Sequence, residues 1–319
     1  MRARTLALAC ALDAACGDPV WLPHPVRAFG FAARHGERLA LRLAAGEAAR
    51  EIAYGALATA AIVASTYASA FLLLRRVRGA NAEAAEALEC ALAWTTLAAR
   101  DLLAEAASVE RPLGAGDLAA ARERVARIVG RDAGALDASG VARAAIETLA
   151  ESTCDGIAAP LLALACGGAP LALAFKAANT LDSVIGHREP PHAYAGRLAA
   201  RLDDVLCFAP ARLSALALSL AAPAGGGSIR RALAIRRRDG TKHASPNAGH
   251  SEAAIAGALG VRLGGPSTYG GVAHEAPPLG AEFPPPLPAD VPRARRIVAA
   301  AALLLVAVAL VIARARERL

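Results

Sequence analysis

The chain has 319 residues, 55% of them hydrophobic and 20% charged, with only 4% aromatic and a mean hydropathy of +0.38. That balance excludes an ordinary soluble domain and equally a chain immersed wholly in lipid, and it fits a mixed membrane protein. The formal net charge of +7 is carried by arginines scattered among acids or set beside apolar runs, so anionic lipid or an anionic substrate is expected as the partner rather than nucleic acid.

In chain order, the first residues combine a basic start with an apolar Thr5 to Ala15 stretch that is interrupted by Asp13. The inserted acid and the poor cleavage context predict a retained segment rather than a signal peptide. Gly55 to Leu74 carries no charge and ends abruptly at Arg75, Arg76 and Arg78; at about 1.5 Å per helical residue it spans the ~30 Å hydrocarbon core. Residues 76–156 form a polar region in which apolar residues recur every three or four positions, predicting helices. Asp117 is expected to cap one of them, and Asp137 or Ser139 to begin another.

Two apolar stretches, 157–175 and 205–222, are less clean. The first contains Pro160, Gly167, Gly168 and Pro170, the second Pro210 and Arg212, and both are expected to be broken, re-entrant or protein-buried helices. Arg212 needs a partner there, with Asp203 or Asp204 the nearest in sequence. Residues 223–296 are rich in Gly, Pro and basic side chains, and the Phe283 to Pro288 run is expected to be an extended linker. A second clean run, 297–313, is bracketed by arginines on both sides. The prediction is an all-α polytopic membrane protein forming one domain over 1–319, with four to five embedded segments and a large helical polar region. The six cysteines, in apolar settings without metal-ligand spacing, are expected to be buried small hydrophobes.

Three segments have the residue types of a reactive site. Arg143, Glu147, Glu151 and Asp155 recur every four residues and share one helix face. The same spacing builds an ordinary solvated Arg–Glu ladder, but carboxylates leading into an apolar segment also suit a divalent cation such as Mg²⁺. Lys176, Asn179, Thr180, Asp182, Ser183 and His187 crowd twelve residues at the end of the 157–175 stretch, a density that suits phosphate or metal recognition as well as interfacial capping. Lys242, His243, Ser245, Asn247 and His250 lie in a polar segment read as a flexible loop, with no Walker order of glycines and lysine. Arg100, Asp101 and Glu105 form a further charged helical group.

In this order the segments resemble the CobD/CbiB family along almost the whole chain. The matching stretches include Gly17-Asp-Pro with Pro23-His-Pro-Val26, Arg100-Asp-Leu, Ile128-Val-Gly-Arg-Asp132, Arg143 through Glu151-Ser-Thr-Cys-Asp155-Gly, Asn179-Thr-Leu-Asp-Ser183 with Gly186-His187, Arg201-Leu-Asp-Asp204 and Ser245-Pro-Asn-Ala-Gly249. The resemblance implies a ligase of the bacterial inner membrane that uses ATP and Mg²⁺ to amidate the free propionate of adenosylcobyric acid with aminopropanol phosphate, alongside other late cobalamin-pathway enzymes. Carboxylates do not react with amines until activated, and an acyl phosphate made from ATP is the usual route. On that expectation Glu147, Glu151 and Asp155 hold the metal. Arg100, Arg143, Lys176, Asn179, Lys242, Ser245 and Asn247 face phosphates or substrate, and Asp182 or His187 takes the amine proton. A non-catalytic membrane sensor of the related AmpE type, and a transporter, are the competing readings. If all four apolar segments span, the Asn179 and Ser245 regions fall on opposite sides, which one ATP-using site does not allow.

Overall fold

The computed structural model describes residues 1–19, 21, 24–186 and 193–318. The elements are, in order, α1 (Ala3–Cys16), α2 (Pro25–Ala44), α3 (Ala48–Ala80), α4 (Ala82–Trp94), α5 (Ala99–Gly114), α6 (Leu118–Val125), α7 (Ala138–Thr153), a π-helical turn Cys154–Ala158, α8 (Ala159–Ile185), α9 (Arg197–Leu206), α10 (Phe208–Leu220), a 3₁₀ turn Ala222–Gly225, α11 (Ile229–Asp239), α12 (Ala248–Leu259), strands β1 (Leu263–Tyr269) and β2 (Val272–Leu279), and α13 (Asp290–Arg316). The chain is therefore helical, as its periodicities predict, with one added hairpin. Asp117 and Asp137 cap α6 and α7 as expected, accepting from Ala120 N (3.0 Å) and Gly140 N (2.7 Å).

Three helical runs are long and apolar enough to cross a membrane: Ala48–Ala80, Ala138–Ile185 and Asp290–Arg316. They contain three of the four apolar stretches. The fourth, 205–222, does not form one helix: α9 ends at Leu206, and α10 has 13 residues, about 20 Å at the helical rise, too short for the hydrocarbon core. Pro210 explains the restart at Phe208, since it is tolerated in a first helical turn and not further in. The Gly-Gly-Ala-Pro break appears inside α8 as Gly168 at φ 72°.

Two compact units are present: Met1–Ala98 with Ala159–Cys207 and Val306–Leu319, and Ala99–Ala158 with Phe208–Leu305. In the first, α2, α3 and α8 pack together over Ala33, Leu181, Ile185 and Ala199. Small residues permit the approach; a Cβ at Gly55 would overlap the Ala195 carbonyl. Large apolar side chains remain exposed along α3 (Leu57, Phe71, Leu72) and α13 (Leu303, Val311), the pattern of lipid-facing surface.

The second unit is built round α12. Every residue of this helix is buried except His250, and α7, α10 and α11 pack against it. Its alanines and glycines allow backbone contact, as at Gly257, where a Cβ would stand 2.7 Å from the Arg231 carbonyl oxygen. The expected loop at 239–252 is therefore a short turn followed by a core helix, and only residues 240–247 connect α11 to it. The β1–β2 hairpin turns through Gly270 and Gly271, both at positive φ, as a tight two-residue turn requires. Asp132 holds its tip, accepting from Gly270 N (3.2 Å) and Gly271 N (2.8 Å).

Cys90, Cys154 and Cys207 are buried as predicted, whereas Cys16 and Cys166 are exposed and Cys10 is half-buried; all six are free thiols. An apolar sequence setting reads the same whether the side chain meets protein or lipid, which is why the expectation fails for those on the surface.

Candidate functional site

The second unit gathers most of the charged residues singled out by the sequence. From α7, Arg143 donates through its two terminal nitrogens to the carbonyls of Gly264 and Pro266, bonds that a phosphate would have to displace. One turn on, Glu147 Oε1 accepts from Gly264 N (2.8 Å) and Oε2 pairs with Arg131 (2.6 Å), both side chains being largely buried. Burial opposes the charge of Arg131, but the pair and hydrogen bond with Glu147 outweigh it and hold its pKa above the usual arginine value. The sequence ladder is thus in part a clamp between α7 and β1. Glu151 is exposed one turn further, and Asp155 lies half-buried in the π turn, whose extra residue takes it out of the four-residue register.

Glu252 projects from the core helix α12 and is buried. Burial raises its pKa well above the ordinary carboxylate value, the charges of Glu147 and Glu151 raise it further, and Arg131 opposes them. His243 Nε2 lies 3.9 Å from Glu252 Oε1. The other ring nitrogen, Nδ1, accepts from Ser245 N (3.0 Å), so in the neutral ring Nε2 carries the proton. Burial keeps the imidazole neutral by lowering its pKa, with the Ser245 amide and the Glu147 charge pulling the other way. A carboxyl whose pKa is raised beside an imidazole whose pKa is lowered is an arrangement common where protons are exchanged.

The turn before α12 is anchored from α11. Asp239 is buried and accepts from Arg238 (2.8 and 2.7 Å), Lys242 (2.7 Å) and Gly280 N (2.8 Å). The Arg238 bond, with Lys242 and the Gly280 amide, outweighs burial and keeps the carboxyl well below its usual range. Lys242 is thereby tied back, with its side chain still half-exposed. Ser245 Oγ accepts from Asn247 N (3.3 Å) and Ala248 N (3.2 Å) and starts the helix. Asn247 Oδ1 accepts from Arg212 (3.3 Å), so this arginine finds an amide from α12 rather than resting on the aspartates nearest in sequence. Arg100 is exposed in the first turn of α5. A cavity of about 400 Å³ lies at the start of α7, lined by Asp137, Ser139, Arg143, Arg262 and Pro266 among others.

In the first unit, α8 carries Lys176, Asn179 and Asp182. Asn179 Nδ2 donates to Asp203 Oδ1 (3.2 Å), joining α8 to α9. The Asp182 carboxylate packs against Gly186, where a Cβ would overlap it. Gly186, Tyr194, Arg197, Arg201 and Asp204 line a cavity of about 650 Å³. His187 lies outside the described residues, as does Pro23.

Mg²⁺ takes oxygen ligands. Both oxygens of Glu147 already meet donors, whereas burial and then the charges of Glu147 and Glu151 raise the pKa of Glu252, so a divalent cation beside it would favour its ionised form. Glu252, His243 and Arg131 are the site residues that sequence reasoning did not assign. The helix-start signal at Ser245-Pro-Asn247 before an alanine-rich run could have placed Glu252 on a helix, whereas no local signal marks Arg131.

A profile described as "CobD/Cbib protein" matches residues 6–298. Relatives include a "Cobalamin biosynthesis protein CobD" of Pelobacter propionicus, 46% identical over 84% of this chain and 81% of that protein. The protein of the same name in Klebsiella pneumoniae is 44% identical over 84% of both chains. A "Cobalamin biosynthesis protein CbiB" of Salmonella typhimurium is 42% identical over 86% of this chain and 85% of that one. No solved structure matches.

Proposed function

Because the chain belongs to the CobD/CbiB protein family, we propose that it acts in cobalamin biosynthesis as a multi-pass ligase of the bacterial inner membrane. The reaction is amidation of the free propionate of adenosylcobyric acid by (R)-1-amino-2-propanol O-phosphate, driven by ATP with Mg²⁺, to give adenosylcobinamide phosphate. The observation that carries this reading is the polar cluster of the second unit, where the buried Glu252 and the half-buried His243 stand 3.9 Å apart beside the Arg131–Glu147 pair.

The reaction joins two anionic substrates and must remove a proton from an ammonium before nitrogen can attack. The lone pair of the neutral His243 ring, on Nδ1, is already taken by the Ser245 amide, so Asp182 or His187 would receive that proton, with His243 Nε2–H orienting Glu252. Glu151 and Glu252 would hold Mg²⁺, which when bound supplies charge to offset the nucleotide phosphates. Lys242, Ser245 and Asn247 stand in the turn where a phosphate group meets the amino end of α12, while Arg100, Lys176 and Asn179 are further candidates for substrate contact.

The test is an assay of the purified, detergent-solubilised chain with adenosylcobyric acid, aminopropanol phosphate, ATP and Mg²⁺. Amide product is expected only when nucleotide and metal are both present. Equal product without nucleotide would defeat the ligase reading.

A further inference from the structure

We propose that Arg212, Arg236 and His250 form an oxyanion site that takes the dianion of a phosphate monoester. The three side chains come from three helices of the second unit, α10, α11 and α12, which pack on one another. Identification of the monoester with the amine substrate rests on the function proposed above; the oxyanion site itself does not.

Unmet polar atoms carry the argument. Both ring nitrogens of His250 and Nε of Arg236 are shut off from solvent and have no hydrogen-bond partner among the described residues. Buried polar groups are ordinarily paired, so three unpaired atoms together are not an arrangement that packing alone explains. An oxyanion accepts from Arg236 Nε and from the ring N–H, and from both ring nitrogens once it draws a proton onto the ring. Phosphate offers that, and the guanidinium fork and imidazole are the side chains suited to it.

Charge leads to the same ligand. The positive charges of Arg212 and Arg236 both act on the His250 ring, and two cations brought to one place favour an anion between them. Arg212 is already oriented: Nη1 donates to Phe208 O (2.7 Å) and Asn247 Oδ1 (3.3 Å), and the guanidinium lies 3.4 Å above the Phe208 ring. Both bonds use one nitrogen, which leaves the opposite edge of the fork for an acceptor. His250 stands in the first turn of α12, the positive end of a 12-residue helix. Gly240 lets the ring in: a Cβ there would lie 2.7 Å from His250 Nδ1.

The test uses the full chain in detergent with ¹⁵N-labelled histidine. Inorganic phosphate and aminopropanol phosphate are titrated separately, and the unphosphorylated amino alcohol, a non-hydrolysable ATP analogue and phosphatidylglycerol serve as comparison probes. The expected result is that the two phosphates move the His250 resonances saturably, that the amino alcohol does not, and that R236Q and R212Q each weaken binding about tenfold or more. A His250 that responds to none of the phosphates, or only to nucleotide or lipid, overturns the proposal, as does wild-type affinity in both arginine variants. The wild-type titration needs no variant to fold. Phosphate binding at His250 without amide formation in the assay removes the ligase reading and leaves this site standing; amide formation with a silent His250 does the reverse.

Discussion

Arg131 and Glu147 meet at 2.6 Å with both side chains largely withdrawn from solvent, and the second oxygen of Glu147 holds the amide of Gly264. The carboxylate that sequence spacing nominates for metal is thus a fastening between α7, the 131 region and β1. Removing one partner of a buried pair strands the other charge and costs about 3–5 kcal/mol. Glu147→Gln is therefore expected to lower the stability of the membrane-inserted protein by several kcal/mol, read as a fall in melting temperature, and to lose activity through that route. A well-folded E147Q with turnover lowered tenfold and rescued by Mg²⁺ would instead return the metal to this residue.

Glu252 behaves in the opposite way, because glutamine copies the protonated acid. Its folded pKa lies well above its ordinary value of 4.5. Its contribution to stability is therefore full below that value and declines as pH rises through the folded pKa. E252Q is expected to melt higher than wild type at pH 8, the gap closing toward pH 4.5, while amide formation falls about tenfold or more. Melting curves across that range decide it; a constant gap would mean that the acid is already ionised.

His243 has the reverse linkage. Its folded pKa is depressed below the ordinary 6.5, so its stabilisation is present above pH 6.5 and is lost as pH falls through the folded value. H243N keeps an acceptor for the Ser245 amide without a titrating ring. Its melting temperature is expected to fall less than that of wild type between pH 6.5 and 5, with His250 supplying the slope that remains.

The hairpin tip offers a local test. Gly271 sits at φ 82°, where a β-branched side chain is strained by about 1–2 kcal/mol. Gly271→Val should destabilise by that amount and speed amide exchange at Gly270, which bonds to Asp132. Unchanged exchange there would show that Asp132 does not fix the turn.

The exposed apolar faces of α3 and α13 predict that the protein stays in the pellet after carbonate washing. Leu303→Arg with Val311→Arg, both on exposed positions of α13, should reduce membrane recovery severalfold, since each arginine at a helix centre costs about 3 kcal/mol on insertion scales. Full recovery of the double variant in the pellet would place this face elsewhere than lipid.

Much of this architecture is written in short-range signals. The uninterrupted runs at 55–74 and 297–313 set α3 and α13, and Asp117 and Asp137 mark their helices because an aspartate cap acts within three residues. Glu252 was hidden for the opposite reason: a helix enclosed on all sides has small and apolar residues all round, so it shows no amphipathic period, and glycines and prolines nearby suggested a loop. Pairing of Arg143 and Glu147 with residues 264–266 depends on a contact across more than a hundred residues, which no local pattern encodes. The Gly270-Gly271 turn signal was present, but the strands beside it alternate too weakly to announce themselves.

Gly257 meets the Arg231 carbonyl with no room for a methyl group, and this makes α12 unusually intolerant of change. Its neighbours touch main chain instead of side chains, so nothing there can rearrange to absorb added bulk. A single methyl group would wedge α11 and α12 apart, carrying Glu252 with one helix and Arg236 with the other. Divergence among descendants of this protein should therefore accumulate on outward-facing positions, while the inner helix stays small.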